Sequence, residues 1–295
     1  MDNENRPPIT FGFGYRFPLH DLIYRNRTRI GTLEITVDHY IGGSRDQRAR
    51  LARLQNDFPI VAHGVGLSLG TDAPLDMGYV DQLVEALQRI GATYYSEHVA
   101  WTGVPGVALA TLLPVPQTEE TADMLAGKVR ALRSLLPVPL YLENIADYLD
   151  WADSDMQPSA FYARVCGLGG AGMLLDAENL YANERNNQVP ARDFIDHLPP
   201  GSVKAMHVAG GVRNGDLFID DHGHAVPDAV PPLVEYICRR QWPAIIILER
   251  DNRLDVQAEI AHDIHRISAL VARINRKAEA QTQTQNQVLA NADPS

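Results

Sequence analysis

Eight short apolar runs recur along this chain, and most of them end on a side chain that can bind a metal. The runs span residues 11–15, 33–37, 60–64, 93–97, 139–143, 172–176, 203–207 and 244–249. Segments long enough for helices separate them. Strands that alternate with helices in this way predict an α/β protein, a (β/α)8 TIM barrel built as a single domain. The carboxyl ends of the strands meet on one face of that fold, where the active site lies.

The ends of these runs supply imidazoles and carboxylates. They are Asp38, His39, His63, Glu97, His98, Glu143, Asp176, His207 and Glu249. So many ionisable groups in one pocket would be costly to bury unless bound cations compensated them. Mixed histidine and carboxylate ligands suit iron, manganese or zinc. The sequence therefore predicts a metalloenzyme. Because side chains alternate along a strand, only one of Glu97 and His98 should point inward.

Composition limits the classes of partner and location. The net charge of −11 disfavours a nucleic-acid-binding protein, which would need a basic surface. No apolar run approaches the roughly 18 residues of a membrane span, and no secretory signal is visible at the N-terminus. The two cysteines, Cys166 and Cys238, form neither a disulfide framework nor a paired zinc motif. We expect a cytoplasmic protein with no nucleic-acid or membrane partner.

The barrel is expected to occupy most of the chain. Residues 1–8 are predicted to be a flexible arm, residues 9–276 the TIM-barrel catalytic domain, and residues 277–295, rich in Gln, Ala and Asn, a disordered tail. Helices are expected at about 18–27, 44–57, 76–90, 118–136, 156–167, 190–197, 228–240 and 254–276. The irregular stretches 99–117 and 208–227 follow strand ends and should overhang the site.

Some of the candidate residues have two interpretations. Asp176 could bind metal or cap the helix that follows it. His222 and His224 lie in an acidic loop and could either contact a metal or sit in solvent. Arg250 and Arg253 follow Glu249, and they could bind an anionic substrate group or form a surface salt-bridge cluster.

The order of the motifs along the chain is informative. HGVGLSLG is followed by SEHVAW, LLPVPQTEE, LENIADYL, LLDAEN, HVAG, IDDH and LERD. This combination resembles the multinuclear non-haem iron-dependent oxidative enzymes, the family of the methanobactin biosynthesis oxidase, over about residues 11–265. The resemblance implies a TIM barrel with two or three irons, as Fe(II), Fe(III) or both, and dioxygen as co-substrate. It also implies a ribosomally made precursor peptide, oxidised at cysteine or another residue, and a small partner protein that presents the peptide.

The resemblance also implies roles for individual residues. The positions that match the family's metal ligands are His63, His98, Glu143, Asp176, His207, His222 and Glu249. Glu143 matches the bridging carboxylate, and we expect catalysis to depend on His98, Glu143 and Asp176. The chain departs from the family at the third metal, where Glu178 replaces the usual asparagine and Gly211 and Gly223 replace potential ligands. Either Glu178 and His224 substitute as ligands there, or the third metal is absent.

A second function class fits the same fold and ligand types. A xylose-isomerase-like sugar isomerase, or a metal-dependent endonuclease, would also carry histidines and carboxylates at the strand ends. The net charge of −11 disfavours the endonuclease. The sequence contains no P-loop, HExxH, GxSxG or dinucleotide-binding fingerprint, so nucleotide-dependent and serine-hydrolase chemistry has no support.

Overall fold

Eight parallel strands form a closed barrel in the computed structural model, which describes residues 6–104, 106–149 and 151–292. The barrel strands are β1 (Thr10–Gly14), β2 (Thr32–Thr36), β3 (Ile60–Gly64), β4 (Tyr95–His98), β5 (Leu140–Glu143), β6 (Gly172–Asp176), β7 (Val203–Val208) and β8 (Ile245–Leu248). Each strand pairs with its neighbours in chain order, and β8 closes the barrel against β1. The predicted single-domain TIM barrel is confirmed.

Helices surround the strands. They are α1 (His20–Arg25), α2 (Arg45–Asp57), α3 (Met77–Ile90), α4 (Glu119–Leu135), α5 (Pro158–Gly169), α6 (Ala177–Asn187), α7 (Ala191–His197), α8 (Val230–Arg240) and α9 (Gln257–Ala292). The expected helices correspond to all of these except α6, which begins directly after β6. Within the described residues, no helix is long and apolar enough to cross a membrane.

The two ends of the chain differ in how they compare with expectation. Residues 6–9 have no regular secondary structure, and residues 1–5 and 293–295 lie outside the described residues. Helix α9 continues to Ala292, through most of the segment 277–295 that we expected to lack regular structure.

The interior of the barrel is divided into an apolar floor and an ionisable layer. The floor consists of Val61, Tyr94, Leu174, Ala205, Ile245 and Ile247. Val61, Leu174 and Ala205 each lie two residues before His63, Asp176 and His207 on the same strand. Because alternate side chains of a strand share a face, the ionisable side chains lie directly above the floor, towards the carboxyl ends of the strands.

The two long segments at this end of the barrel are partly regular, although we expected irregular loops. After β4 the chain forms an antiparallel hairpin of Trp101–Val104 with Val107–Leu113. After β7 a second hairpin pairs Val212–Asn214 with Leu217–Ile219. We call these the first and second hairpins. Both follow strand carboxyl ends, as predicted for segments beside the site.

Candidate metal centre

The first group of potential ligands consists of His63, His98 and Glu143. The Nε2 atoms of His63 and His98 lie 3.5 and 3.3 Å from the same oxygen, Oε2 of Glu143. Their Nδ1 atoms are engaged elsewhere, with Ser96 Oγ at 2.9 Å and the carbonyl oxygen of Gly64 at 3.2 Å. These outer contacts turn both Nε2 atoms towards one carboxylate. Two histidines and one carboxylate are the donor set of many non-haem Fe(II) sites.

The second group forms on the other side of Glu143. His207 Nδ1 lies 3.0 Å from Glu143 Oε1 and 2.8 Å from Glu249 Oε2. Asp176 is the register neighbour of His207 and completes a buried cluster of four potential ligands. Glu143 therefore presents one oxygen to each group, which is the arrangement of a carboxylate that bridges two metals.

The third group contains Glu178, Asp220 and His222. His222 Nε2 lies 2.7 Å from Asp220 Oδ1, and His222 Nδ1 lies 3.6 Å from Glu249 Oε2, so the group adjoins the second one. His222 adopts a φ of 48°, in the left-handed region that a histidine rarely occupies. Strain of this kind is typical of functional sites, where the surrounding structure enforces it.

A Cβ atom at Gly211 would lie 2.5 Å from Glu178 Oε1 and would overlap the carbonyl oxygen of Ile219. No side chain can occupy position 211 unless one of these neighbours moves. The absence of a side chain there makes room for the Glu178 carboxylate and for the second hairpin.

The ligand atoms themselves are under-satisfied. Among the described residues, Asp176 Oδ2 and both Glu178 oxygens are buried atoms with no hydrogen-bond partner. Glu143 Oε2, Asp220 Oδ1 and His222 Nε2 make no well-oriented hydrogen bond either, although the last two atoms lie 2.7 Å apart. A buried polar atom without a partner costs about 1–3 kcal/mol, so such a concentration needs compensation. Metal bonds of about 2.0–2.2 Å place neighbouring donor atoms roughly 3–3.5 Å apart, as the distances within the first group require. The residues fit bound metal ions.

The electrostatics of the first group favour one neutral and one protonated histidine when no metal is bound. Burial lowers the pKa of His63 to about 3, so this ring is neutral and its lone pair is available to a metal. Burial also opposes protonation of His98, but the charge of Glu143 and the hydrogen bond that His98 donates to Glu97 outweigh it and raise the pKa to about 9. Metal binding at His98 would therefore release a proton.

The carboxylates respond to their surroundings in opposite ways. Burial, with the charges of Asp220 and Glu143, raises the pKa of Asp176 to about 7. Burial and the nearby Asp220 carboxylate hold the pKa of Glu178 well above its usual value. Burial acts in the same direction on Glu249, but His207 and His222 outweigh it and hold that pKa well below its usual range.

Comparison with known proteins identifies the family. The sequence profile described as "RiPP precursor modification enzyme MbnB/TglH/ChrH" matches residues 10–272. The chain belongs to this family. A UPF0276 protein of Caulobacter vibrioides is 30% identical over 256 residues, which cover 85% of this chain and 91% of the relative. A UPF0276 protein of Acinetobacter baylyi is 30% identical over 263 residues, covering 89% and 91%.

Solved structures share the fold of this family member at low sequence identity. A xylose isomerase domain containing protein from Salmonella typhimurium LT2 superposes with a TM-score of 0.63 at 12% identity, covering 91% of this chain and 99% of the other. An L-ribulose 3-epimerase gives a TM-score of 0.62 at 12% identity, with 92% and 97% covered. Endonuclease IV from Thermus thermophilus gives 0.55 at 12% identity, with 87% and 99% covered. These likenesses show the barrel alone.

The structure of this family member brings most of the predicted ligands together and separates others. His63, His98, Glu143, Asp176, Glu178, His207, His222 and Glu249 all fall into the three groups. His224 does not: its Nδ1 lies 3.0 Å from Asp221 Oδ2, and its side chain is 31% exposed. Glu97 belongs to none of the groups and accepts hydrogen bonds from the Tyr95 hydroxyl and the His98 amide, and its Oε1 lies 3.5 Å from His98 Nδ1. Alternation places His98 inward.

Asp176 combines both of its proposed roles. Its Oδ1 accepts from the Asn179 amide at 2.6 Å and caps α6, while Oδ2 has no partner among the described residues.

The two arginines after Glu249 occupy different environments. Arg250 is only 2% exposed, and its Nη2 lies 2.9 Å from Glu259 Oε1 and 3.6 Å from Asp263 Oδ2. The guanidinium thus lies in a buried salt-bridge cluster, and its contact with substrate stays a prediction. The Arg253 side chain is 42% exposed, and its guanidinium donates weakly, at 3.4 Å, to the carbonyl oxygen of Gly223.

Sequence reasoning missed three acidic residues and one arginine near the groups. Glu34 and Asp220 take part in potential metal clusters, as does Asp251. Arg16 pairs with Asp251 and lies 3.9 Å from Glu249, so it supplies positive charge at the edge of the site. Glu34 gave a signal that could have been used, since it interrupts an otherwise apolar strand.

Proposed function

We propose that this protein is a multinuclear non-haem iron oxidase that uses dioxygen to modify a side chain, cysteine or another residue, of a ribosomally synthesised precursor peptide during natural-product maturation. The observation that carries the proposal is Glu143, whose two oxygens face two separate groups of buried ligands. A site built in this way suits two ions held side by side. The donor set consists of histidine nitrogens and carboxylate oxygens without sulfur, and this set suits non-haem iron.

Bound iron would supply the redox chemistry, since dioxygen does not react with closed-shell side chains unaided. In an oxidation of this kind the peptide side chain loses electrons and protons, and dioxygen accepts them. The protein holds the ions through the first and second groups, and the apolar floor excludes water from below. His98, Glu143 and Asp176 remain our predicted catalytic residues: His98 belongs to the first group, Asp176 to the second and Glu143 to both. The number of ions is three if the third group binds one and two if it does not.

The substrate proposal rests on the surroundings of the site. Val104 and Val107 at the tip of the first hairpin are each 56% exposed, and Leu217 on the second hairpin is 45% exposed. Exposed apolar residues on two projecting hairpins suit contact with an extended peptide or with a small protein that presents it. Arg253 follows Glu249 closely in sequence and supplies an accessible positive charge. We retain it as a proposed substrate contact.

We also propose a cytoplasmic location. Both cysteines are free and buried, and a reducing compartment would keep the iron ferrous before it meets dioxygen.

The test is co-expression with each short open reading frame found beside this gene, followed by mass spectrometry of the encoded peptide. We expect a mass change that requires iron and dioxygen and that disappears in His98→Ala. His39→Ala is the matched control, because His39 is exposed and belongs to none of the ligand groups. A protein that turns over a free sugar and leaves the peptide unchanged would instead support the isomerase-like alternative.

A further inference from the structure

Glu34 lies behind one of the proposed ligands. It sits in the middle of β2, is 1% exposed, and its Oε2 lies 2.9 Å from Nε2 of His207. His207 is fully buried, and its other nitrogen, Nδ1, faces Glu143 and Glu249 at 3.0 and 2.8 Å. The imidazole is therefore held between one carboxylate on its outer side and the second ligand group on its inner side.

Hydrogen-bonding rules decide which nitrogen carries the proton when metal is bound. A neutral imidazole has one N–H and one lone pair, and an ionised carboxylate can only accept. The Nε2–H of His207 would donate to Glu34, so the Nδ1 lone pair is left to face the second group. Histidine ligands of metals commonly donate their other N–H to a carboxylate, which fixes the ring and raises its basicity.

Glu34 also distinguishes His207 from the other two histidines at the strand ends. The outer nitrogen of His63 contacts the Ser96 hydroxyl at 2.9 Å. That of His98 contacts the Gly64 carbonyl at 3.2 Å and Glu97 Oε1 at 3.5 Å. Of these three rings, His207 has the closest carboxylate behind it, at 2.9 Å. Burying a carboxylate is unfavourable unless it accepts a hydrogen bond, and the Nε2–H of His207 supplies one to Glu34.

We propose that Glu34 is a positioning residue that fixes the tautomer and orientation of His207, so that Nδ1 binds the metal of the second group. This inference rests on the proposed metal centre and adds a residue outside the predicted ligand set. The competing role is direct ligation, because Glu34, His63 and His207 also have ligand atoms within 4.8 Å of one another.

The first experiment compares metal affinities. Wild-type protein and Glu34→Gln are loaded with iron under anaerobic conditions and titrated with a competing chelator. We expect the variant to reach the wild-type metal content at saturation but to hold one ion about 10–100-fold more weakly. Asp263→Asn is the control, because Asp263 is a 2% exposed carboxylate that pairs with Arg250 and Arg266 and contacts none of the histidine ligands.

The outcomes separate the two roles. Loss of a whole metal equivalent in Glu34→Gln, even at saturation, would show a direct ligand and overturn the inference. An affinity equal to that of wild type would overturn it too, while leaving the metal centre intact. If the wild-type protein binds no metal, the proposed function fails together with this inference.

The second experiment needs no variant and therefore does not depend on how well Glu34→Gln folds. Zinc-loaded protein labelled with ¹⁵N at histidine is diamagnetic, so NMR can assign the protonated and metal-bound nitrogens of His207. We expect a proton on Nε2 and metal on Nδ1. The reverse assignment would contradict the proposed role of Glu34.

Discussion

Glu143 connects the parts of the site that would otherwise be separate. One of its oxygens faces the Nε2 atoms of His63 and His98, and the other faces Nδ1 of His207. Burial alone would raise its pKa, but these three histidines outweigh it and lower the pKa, so the carboxylate is charged. Both groups depend on that one charge, and its removal should affect both.

Glu143→Gln should therefore remove more than one metal equivalent, although it changes only one residue. The amide keeps the size of the side chain but presents one oxygen instead of two and carries no charge. Elemental analysis of the purified, iron-loaded variant measures the loss. Asp263→Asn, a change at a similarly buried carboxylate that pairs with Arg250 and Arg266 and contacts none of the histidine ligands, should keep the wild-type content. The loss of one equivalent or none would refute the bridge.

Glu178 is the residue that most distinguishes the third group. It is fully buried, and no donor among the described residues reaches either of its oxygens. Its extra negative charge, compared with an amide, should favour a harder or more oxidised ion.

Glu178→Asn should weaken metal binding at the third group by about tenfold or more, equivalent to ~1.4 kcal/mol. Anomalous scattering from crystals of iron-loaded protein would give the occupancy at that position. Glu184→Gln, on the same helix but outside the ligand groups, should leave it unchanged. If the wild-type protein shows no metal beside Glu178 and His222, the centre is dinuclear.

Residue by residue, the sequence was most informative about the strand-end side chains, which gather in the three groups. A histidine or carboxylate after an apolar run, such as His207 or Glu249, is constrained by the strand that carries it. His224 and Arg250 were placed less well, because loop geometry decides whether such a side chain turns inward. The Arg250 side chain forms a buried ion pair with Glu259 and does not lie at the rim of the site. The local spacing of residues does not indicate this.

At the scale of elements, the second hairpin and α6 hold the third group from two sides. The Asn186 side chain on α6 accepts a hydrogen bond from the Phe218 amide at 2.8 Å and donates one to the Phe218 carbonyl oxygen at 2.9 Å. Gly211 lies at the start of the hairpin, and its missing side chain leaves room for Glu178 and for the carbonyl of Ile219. The group thus depends on close approach of two backbones.

Gly211→Ala should disturb this junction. The added Cβ would overlap the Ile219 carbonyl oxygen, so the hairpin or Glu178 must move. We expect the third group to lose metal affinity while the first and second retain theirs, as read by chelator titration. Gly127→Ala is the control, since a Cβ there has no neighbour within 4 Å. Equal metal binding in both variants would show that the hairpin is not needed.

The elements that the sequence predicted poorly share a physical cause. Helix α6 has the sequence AENLYANERNN, which is rich in asparagine and lacks a regular apolar stripe, so periodicity does not reveal it. It is fixed by its cap at Asp176 and by packing against the second hairpin. The hairpin strands are short and lie outside the barrel, so their pairing depends on tertiary contacts. By contrast, the barrel strands are continuous apolar runs because both faces are buried.

For the whole molecule, metal binding and folding should be linked through pH. In the metal-free protein, burial raises the pKa values of Asp176, to about 7, and of Glu178. The folded state then binds more protons than the unfolded state above the ordinary carboxyl pKa of about 4, so stability falls as pH rises towards 7. The pKa of His222 is raised because Asp220 and Glu249 outweigh burial; its stabilising contribution is complete below about 6.5 and is lost as pH rises further.

Metal-loaded protein should behave in the opposite way, because ions compete with protons for the same atoms and bind more tightly as pH rises. The difference in melting temperature between iron-loaded and chelator-treated protein should therefore be larger at pH 8 than at pH 5.5. One metal site, with free metal at 100 times the Kd, adds about 2.7 kcal/mol to the free energy of unfolding. Glu178→Gln should reduce the pH dependence of stability in the metal-free protein, because it removes a carboxyl group whose pKa is raised. Glu184→Gln should leave that dependence unchanged. Anaerobic thermal unfolding at both pH values measures these differences. A gap that is independent of pH would contradict the coupling between the ligand carboxylates and bound metal.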